Sequence, residues 1–479
     1  MSCSSCNSSV PHPPAVGEEG EHPEFPSGST NPCKLCTPLG ACLAFKGIAG
    51  TVPLLHGSQG CATYIRRYLI SHFREPIDIA STNFSEDSAV FGGRKNLHTA
   101  LDNVGRQYRP ALVGIATTCL SETMGENMPM LIGEYRGEAR DLPTAAERPE
   151  MVHVSTPSFK GTHAEGFHAA VRSLVETLAG SATAEMASAR RLALFPGMVS
   201  PADLRHLRDF CAAWGEATIT LVPDYAETLD GPSWSEFIRT PTGGTTIDEL
   251  RALDRATAAL EFGHSLAAAP ATAGTHLNTK FNVPLHRLGL PIGVRANDAF
   301  CAALETATGR EMPARVAAER GRLIDSYVDA HKYLAGKKAI VYGEDDLVAG
   351  IAVFLAETGI TPVLVASGER NRRLAAAIFA AAPELRDRIE VREGSDFGDI
   401  ETRIAELKPD LLIGSSKGYK LARSLNLPLV RCGFPVHDRL GAQRLQLLGY
   451  AGTQQLFDRI VNVLLEAKQE HSDIGYAYL

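Results

Sequence analysis

The sequence predicts an α/β protein built from three Rossmann-like, doubly wound parallel-sheet domains. From residue 31 onward, short apolar runs alternate with amphipathic stretches, which is the grammar of βαβ units. The length of 479 residues suits about three domains. The chain is 44% hydrophobic but only 7% aromatic, and rich in alanine, as in layered folds with close helix–sheet contacts.

Residues 1–30 are rich in Pro, Gly, Ser, Glu and His, with almost no large apolar side chain, and read as a flexible tail. The first domain is expected over 31–188. Leu112–Ala116 and Met151–Val154 read as buried parallel strands, and Ala164–Leu178 as a helix after the Gly161 turn. The second domain spans 189–335. Leu192–Phe195 is a strand, Ser200 caps a helix with Pro201 at its first position, and Thr218–Val222 is the next strand. Gly243-Gly244 breaks the chain before a helix near Thr246 and Ile247, and 266–335 reads as a mostly helical link. The third domain spans 336–479. Its strands are Ala339–Tyr342, Thr361–Val365, Leu411–Gly414 and Leu429–Arg431, with a helix over Leu347–Glu357 and a C-terminal helix. Ligands are expected at loops beyond the strand C-termini.

The net charge of −8 argues against nucleic acid, which needs a basic surface. No apolar run approaches the ~18 residues of a membrane span. The polar start, Met1-Ser2-Cys3-Ser4-Ser5-Cys6, has no signal-peptide architecture, so a cytoplasmic protein is expected. There, ten cysteines do not form a disulfide framework.

Three of them stand in marked contexts. Cys36 opens Cys36-Thr37-Pro38-Leu39-Gly40-Ala41. Cys61 ends His56-Gly57-Ser58-Gln59-Gly60-Cys61, and Cys119 ends Thr117-Thr118-Cys119. Cys61 precedes a helical stretch, where dipole and free amides favour a thiolate. Cys119 follows a strand, at the edge where open sheets bind ligands. Three thiolates are one short of the four that hold an ordinary iron–sulfur cluster. The set is either chance or half of a site completed by another chain. Cys42, Cys211, Cys301 and Cys432 sit in apolar surroundings and read as small core residues. Cys3, Cys6, Cys33 and Cys36 have formal zinc-ribbon spacing but lack the expected knuckle residues.

Several chemistries are unsupported. There is no G-x-x-x-x-G-K-[ST] and no H-E-x-x-H, so no P-loop or zincin motif. Tyr342-Gly343-Glu344-Asp345-Asp346 places acids where a pyrophosphate would sit.

The stretch from Cys36 to Cys119 resembles the β subunit of nitrogenase component 1. The resemblance rests on the three cysteine motifs and on His72-Phe73-Arg74-Glu75-Pro76. It also rests on Glu86-Asp87-Ser88-Ala89-Val90-Phe91-Gly92-Gly93, Thr156-Pro157-Ser158-Phe159 and Gly433-Phe434-Pro435-Val436-His437-Asp438-Arg439. It implies the nitrogenase component 1 fold and an α2β2 heterotetramer with an α-type subunit. It implies an iron–sulfur P-cluster shared between the subunits, with Cys36, Cys61 and Cys119 as the ligands on this side. Ser158 matches a serine that coordinates the oxidised cluster in some members; its ordinary reading is a turn serine. Phe91 matches the docking aromatic for an ATP-hydrolysing iron protein; its ordinary reading is a core side chain. The catalytic iron–sulfur cofactor would lie in the α-type subunit, leaving this chain without a substrate pocket. The function implied is electron relay in a nitrogenase-like reductase. Its substrate would be a methylthio-alkane C–S bond, as in methylthio-alkane reductase, or dinitrogen. The alternative is the β-like subunit of the cofactor-assembly scaffold, which the Thr228-Leu229-Asp230-Gly231 segment also resembles.

Overall fold

The computed structural model describes residues 31–137, 149–182, 191–215, 218–236, 238–269 and 271–472. The tail expected over 1–30, with Cys3 and Cys6, lies outside the described residues.

The chain forms an α/β molecule of three parallel sheets. The first holds β1 (Thr51–His56), β2 (Ala80–Ser81), β3 (Leu112–Thr117) and β4 (Glu150–Val154), in the order β2-β1-β3-β4. The second holds β5 (Arg191–Phe195), β6 (Thr218–Leu221), β7 (Ala258–Phe262) and β8 (Leu285–Leu288), in the order β6-β5-β7-β8. The third holds β9 (Lys338–Gly343), β10 (Thr361–Ser367), β11 (Glu390–Arg392), β12 (Leu411–Gly414) and β13 (Leu429–Arg431), in the order β11-β10-β9-β12-β13. In each sheet the strand order reverses beside the first strand, so a ligand crevice is expected there.

One apolar core runs from Leu35 to Leu464 through all three units, and two smaller clusters cover the other faces of the first and third sheets. This follows from strands buried on both faces, such as β1, β3 and β12, which is what parallel sheets require. The stretch 266–335, expected as a mostly helical link, is mostly helical but also contributes a strand to the second sheet. It contains β8, which pairs with β7, besides the helices Ala273–Phe281, Val294–Thr308 and Ala314–Leu334.

Two local features position the cysteine-bearing segments. Pro53 lies inside β1, opposite Gly114 of β3. The carbonyl of Leu55 accepts from Thr82 N–H on the β2 side. Pro53, two residues back, points the same way, where β2 has not begun; its missing donor therefore breaks no ladder bond. The second feature is the helix Thr37–Lys46, all of whose residues are buried. It crosses the helix His163–Leu178 so closely that a Cβ on Gly40 would lie 1.7 Å from the His163 carbonyl oxygen. On the facing side, a Cβ on Gly166 would lie 2.0 Å from the Thr37 oxygen. Leu39, Leu43 and Phe45 are sealed beneath this crossing, each side chain stabilising the fold by about 1.5–3 kcal/mol.

His163 joins the first and third units. Its Nδ1 accepts from Leu35 N–H at 3.2 Å, so its Nε2–H donates to Glu344 just beyond β9, at 2.9 Å.

Candidate functional site

The three singled-out cysteines share one setting, the start of a helix. Cys36 is the N-cap of Thr37–Lys46. Cys61 lies in the first turn of Gln59–Phe73, after the Ser58 N-cap. Cys119 is the first residue of Cys119–Met124, directly past β3, with Thr118 as N-cap and Ser121 completing a capping box. Unpaired amides at such positions favour a thiolate.

They are also electrical neighbours. Burial pushes the Cys36 thiol above its ordinary value; a hydrogen bond with Ser158 opposes this, and negative charge on Cys119 and on Cys61 adds to it. Ser158 sits among the thiols. Its N–H donates to Cys119 Sγ at 3.3 Å, and its Oγ accepts from Thr37 N–H at 3.2 Å. The turn that carries it is fixed to the end of β3, because Thr156 N–H donates to Thr117 Oγ1 and Thr156 Oγ1 donates to the Thr117 carbonyl. The Ser58 hydroxyl points to Cys61 Sγ at 3.7 Å.

Cys119 is exposed, and Cys36 and Cys61 are partly so. Cys33, Cys42, Cys211, Cys301 and Cys432 are buried; burial pushes Cys432 up to about 12 and Cys301 up to about 11. Cys33 is likewise pushed up to about 12, mainly by burial, which separates it from the accessible set. Among the described residues, no three His, Cys, Asp or Glu side chains are grouped to hold a metal ion.

Three apolar side chains close in sequence to the thiols are open to solvent. Tyr64, Leu120 and Phe159 are all exposed, and each lies within three residues of Cys61, Cys119 or Ser158. Sequence reasoning passed over these side chains, although Phe159 and Leu120 adjoin residues it did single out. Phe91 is 86% exposed at the end of the helix Glu86–Phe91, beside Val90, which is also exposed; the core reading of Phe91 is therefore wrong.

A cavity of about 340 Å³ lies where β4, β5, β7, β9 and β10 end, lined among others by His168, Phe195, Phe262, Asp346, Glu369 and Arg373. No cysteine is among its described lining residues.

Residues 36–465 match the family model described as nitrogenase component 1 type oxidoreductase. The chain belongs to the nitrogenase component 1 family. The match begins at Cys36. As a nitrogenase component 1 chain it is an oxidoreductase, and it is similar along nearly its whole length to β chains of that family. It is 37% identical to the nitrogenase molybdenum–iron protein beta chain of Methanothermobacter marburgensis, over 92% of this chain and 95% of that one. With the corresponding chain of Clostridium pasteurianum it shares 36% identity, over 91% and 93% of the two. A solved structure titled nitrogenase Cp1 at pH 6.5 superposes with a TM-score of 0.89 at 34% identity, covering 96% of this chain and 98% of that chain. No helix among the described residues is long and apolar enough to cross a membrane.

Proposed function

We propose that this chain is the β-type subunit of a nitrogenase-like component 1 reductase, in which Cys36, Cys61 and Cys119 hold one half of an iron–sulfur P-cluster. The observation that carries this reading is the thiol set itself. Three accessible thiols stand at helix starts, Cys61 and Cys119 both act on Cys36, Ser158 donates its N–H to Cys119, and the exposed apolar Tyr64, Leu120 and Phe159 adjoin them in sequence. Their chemistry fits a polynuclear iron–sulfur group, which spreads thiolate ligands over several irons. The remaining ligands come from an α-type subunit that covers Tyr64, Leu120 and Phe159, within an α2β2 heterotetramer.

When bound, the cluster supplies one-electron transfer. The chain's residues do the rest. The helix starts lower the cost of three thiolates. Ser158 and Ser58 hold hydrogen bonds toward sulfur that fix its position and tune its potential. Tyr64, Leu120 and Phe159, once covered, exclude water. Phe91 and Val90 form the contact for an ATP-hydrolysing iron protein, since this chain has no P-loop. The group held by Cys36, Cys61 and Cys119 would serve as a relay toward an iron–sulfur cofactor of the α-type subunit, which would supply the chemistry for reducing a small substrate. Of dinitrogen and a methylthio-alkane, the molybdenum–iron protein names of the relatives weigh toward dinitrogen. The setting is cytoplasmic.

The test is isolation of the complex with its α-type partner, followed by iron per αβ unit and EPR of the reduced and oxidised states. A P-cluster signature is expected. A simple four-iron signal would overturn the reading in favour of the cofactor-assembly scaffold.

A further inference from the structure

Glu126 ties two places that the chain keeps far apart in sequence. Its Oε1 accepts from Gly93 N–H, just past Val90 and Phe91. Its Oε2 meets His56 Nε2 at 2.5 Å. The Glu126 side chain is only 9% exposed and that of His56 is fully buried. Burial works against the charge on Glu126, but His56 and the Gly93 N–H together hold its carboxyl below the usual range.

The helix carrying Val90 and Phe91 is tied to His56 at both ends. Beyond it, Gly93 reaches His56 through Glu126. Before it, Phe84 packs edge-on against the His56 ring, with centroids 4.8 Å apart, and donates its N–H to the Gly57 carbonyl. Gly93 is itself pressed on Phe84; a Cβ there would lie 2.3 Å from the Phe84 ring.

From His56 the ties run on toward two thiols. The His56 carbonyl accepts from both Thr118 N–H and Thr118 Oγ1–H, at 3.2 and 3.1 Å, and Thr118 caps the helix that Cys119 opens. Gly57 and Ser58 follow His56 directly, and Ser58 contacts Cys61. Gly57 leaves no slack, since a Cβ there would lie 2.0 Å from Thr118 Oγ1. His56 Nδ1 is buried with no hydrogen-bond partner in this chain's described residues, so Glu126 is the side chain that orients the ring.

We propose that Glu126, acting through His56, is a positioning residue that couples a partner docked on Val90 and Phe91 to the placement of the Cys61 and Cys119 thiols. Cys36 stands outside this linkage, on the helix clamped by Gly40. A load on the exposed helix is carried by short, buried, polar contacts, which transmit displacement because packed interiors deform little. The inference rests on the function proposed for the three thiols.

The experiment uses the assembled complex with its iron protein and compares wild type, Glu126→Ala, Glu126→Gln and Phe91→Ala. Glu126→Gln keeps oxygen for Gly93 and a polar group for His56. Four quantities are read: iron per αβ unit, the docking constant, the electron-transfer rate at saturating iron protein, and the change in EPR line shape on docking. Glu126→Ala is expected to keep its iron and its docking constant within about twofold, lose the docking-induced line-shape change, and transfer electrons about tenfold more slowly. Glu126→Gln should restore most of the rate. If Phe91→Ala fails to dock while Glu126→Ala transfers at the wild-type rate with the wild-type line shape, this inference falls and the proposed function stands. If Phe91→Ala docks normally, the docking face is wrong and both fall. Loss of iron in both Glu126 variants would make the residue a structural one and also overturn the inference.

Discussion

Replacing Gly40 by alanine tests the helix crossing that places Cys36. On propensity alone the change would stabilise the helix by about 1 kcal/mol. Packing opposes it. The new Cβ would lie 1.7 Å from the His163 carbonyl oxygen, 2.7 Å from its carbon and 2.8 Å from Phe167 N. All three are backbone atoms, so no rotamer change relieves the clash. The helices must separate by roughly 1.5 Å to reach contact distance. That loosens Leu39, Leu43 and Phe45 and costs about 3 kcal/mol as overpacking. The net expectation is a loss of about 2 kcal/mol, read as a lower urea midpoint, together with less iron per complex because Cys36 caps the displaced helix. Gly105→Ala is the control. Gly105 is also helical, and an added Cβ meets nothing within 4 Å, so it should stabilise by about 0.5–1 kcal/mol. A Gly40→Ala protein that gained stability as Gly105→Ala does would refute the close crossing.

The other predictions concern the thiols, the exposed helix and the acidic turn after β9. Cys61→Ala is expected to lose interface iron and electron transfer, while Cys301→Ala, buried against the Tyr450 hydroxyl at 3.6 Å, keeps both; metal analysis and EPR decide. Phe91→Ala should shift unfolding by less than about 0.5 kcal/mol, as fits so exposed a side chain, yet abolish iron-protein docking in a binding assay. Burial pushes the Asp345 carboxyl up to about 6, with Asp346 and Glu393 adding like charge against hydrogen bonds from Ser367 and Asn371. A folded pKa above the unfolded value gives a contribution fully present below about pH 4 and lost as pH rises through 6. Asp345→Asn should therefore match wild type near pH 4 and exceed it by about 2 kcal/mol above pH 7; parallel stability curves across that range would contradict this.

Most of the strands that could be read from sequence are largely buried on both faces. Leu112–Thr117, Lys338–Gly343 and Leu411–Gly414 are near-continuous apolar runs. Of those that were not read, three have residues that argue against a strand. β1 contains Pro53, which looks disqualifying until the short reach of β2 is known. β8 is Leu-His-Arg-Leu and only half-buried, and β11 is a charged three-residue edge strand. The cysteines were legible because Gly57, Gly60 and the end of β3 mark their surroundings. Ser158 needed the family resemblance, since nothing local separates it from a turn serine. The His56–Glu126 pair was invisible, because its members are 70 residues apart and, although His56 opens the Cys61 motif, no local pattern marks Glu126.

Exposed Cys119, with the open apolar side chains of Tyr64, Leu120 and Phe159, sets a schedule for making the protein. A lone β-type chain leaves the ribosome with an exposed thiol and a sticky surface, so oxidation and self-association compete with maturation from the first moment. On the proposed function, iron would have to arrive before an α-type chain closed over the thiols, because a closed interface would offer no entry. Cells would therefore gain by making the two subunits in matched amounts, and by keeping the unpartnered chain short-lived or escorted. Expression of this chain by itself should yield oxidised, aggregating material, whatever the strength of its fold.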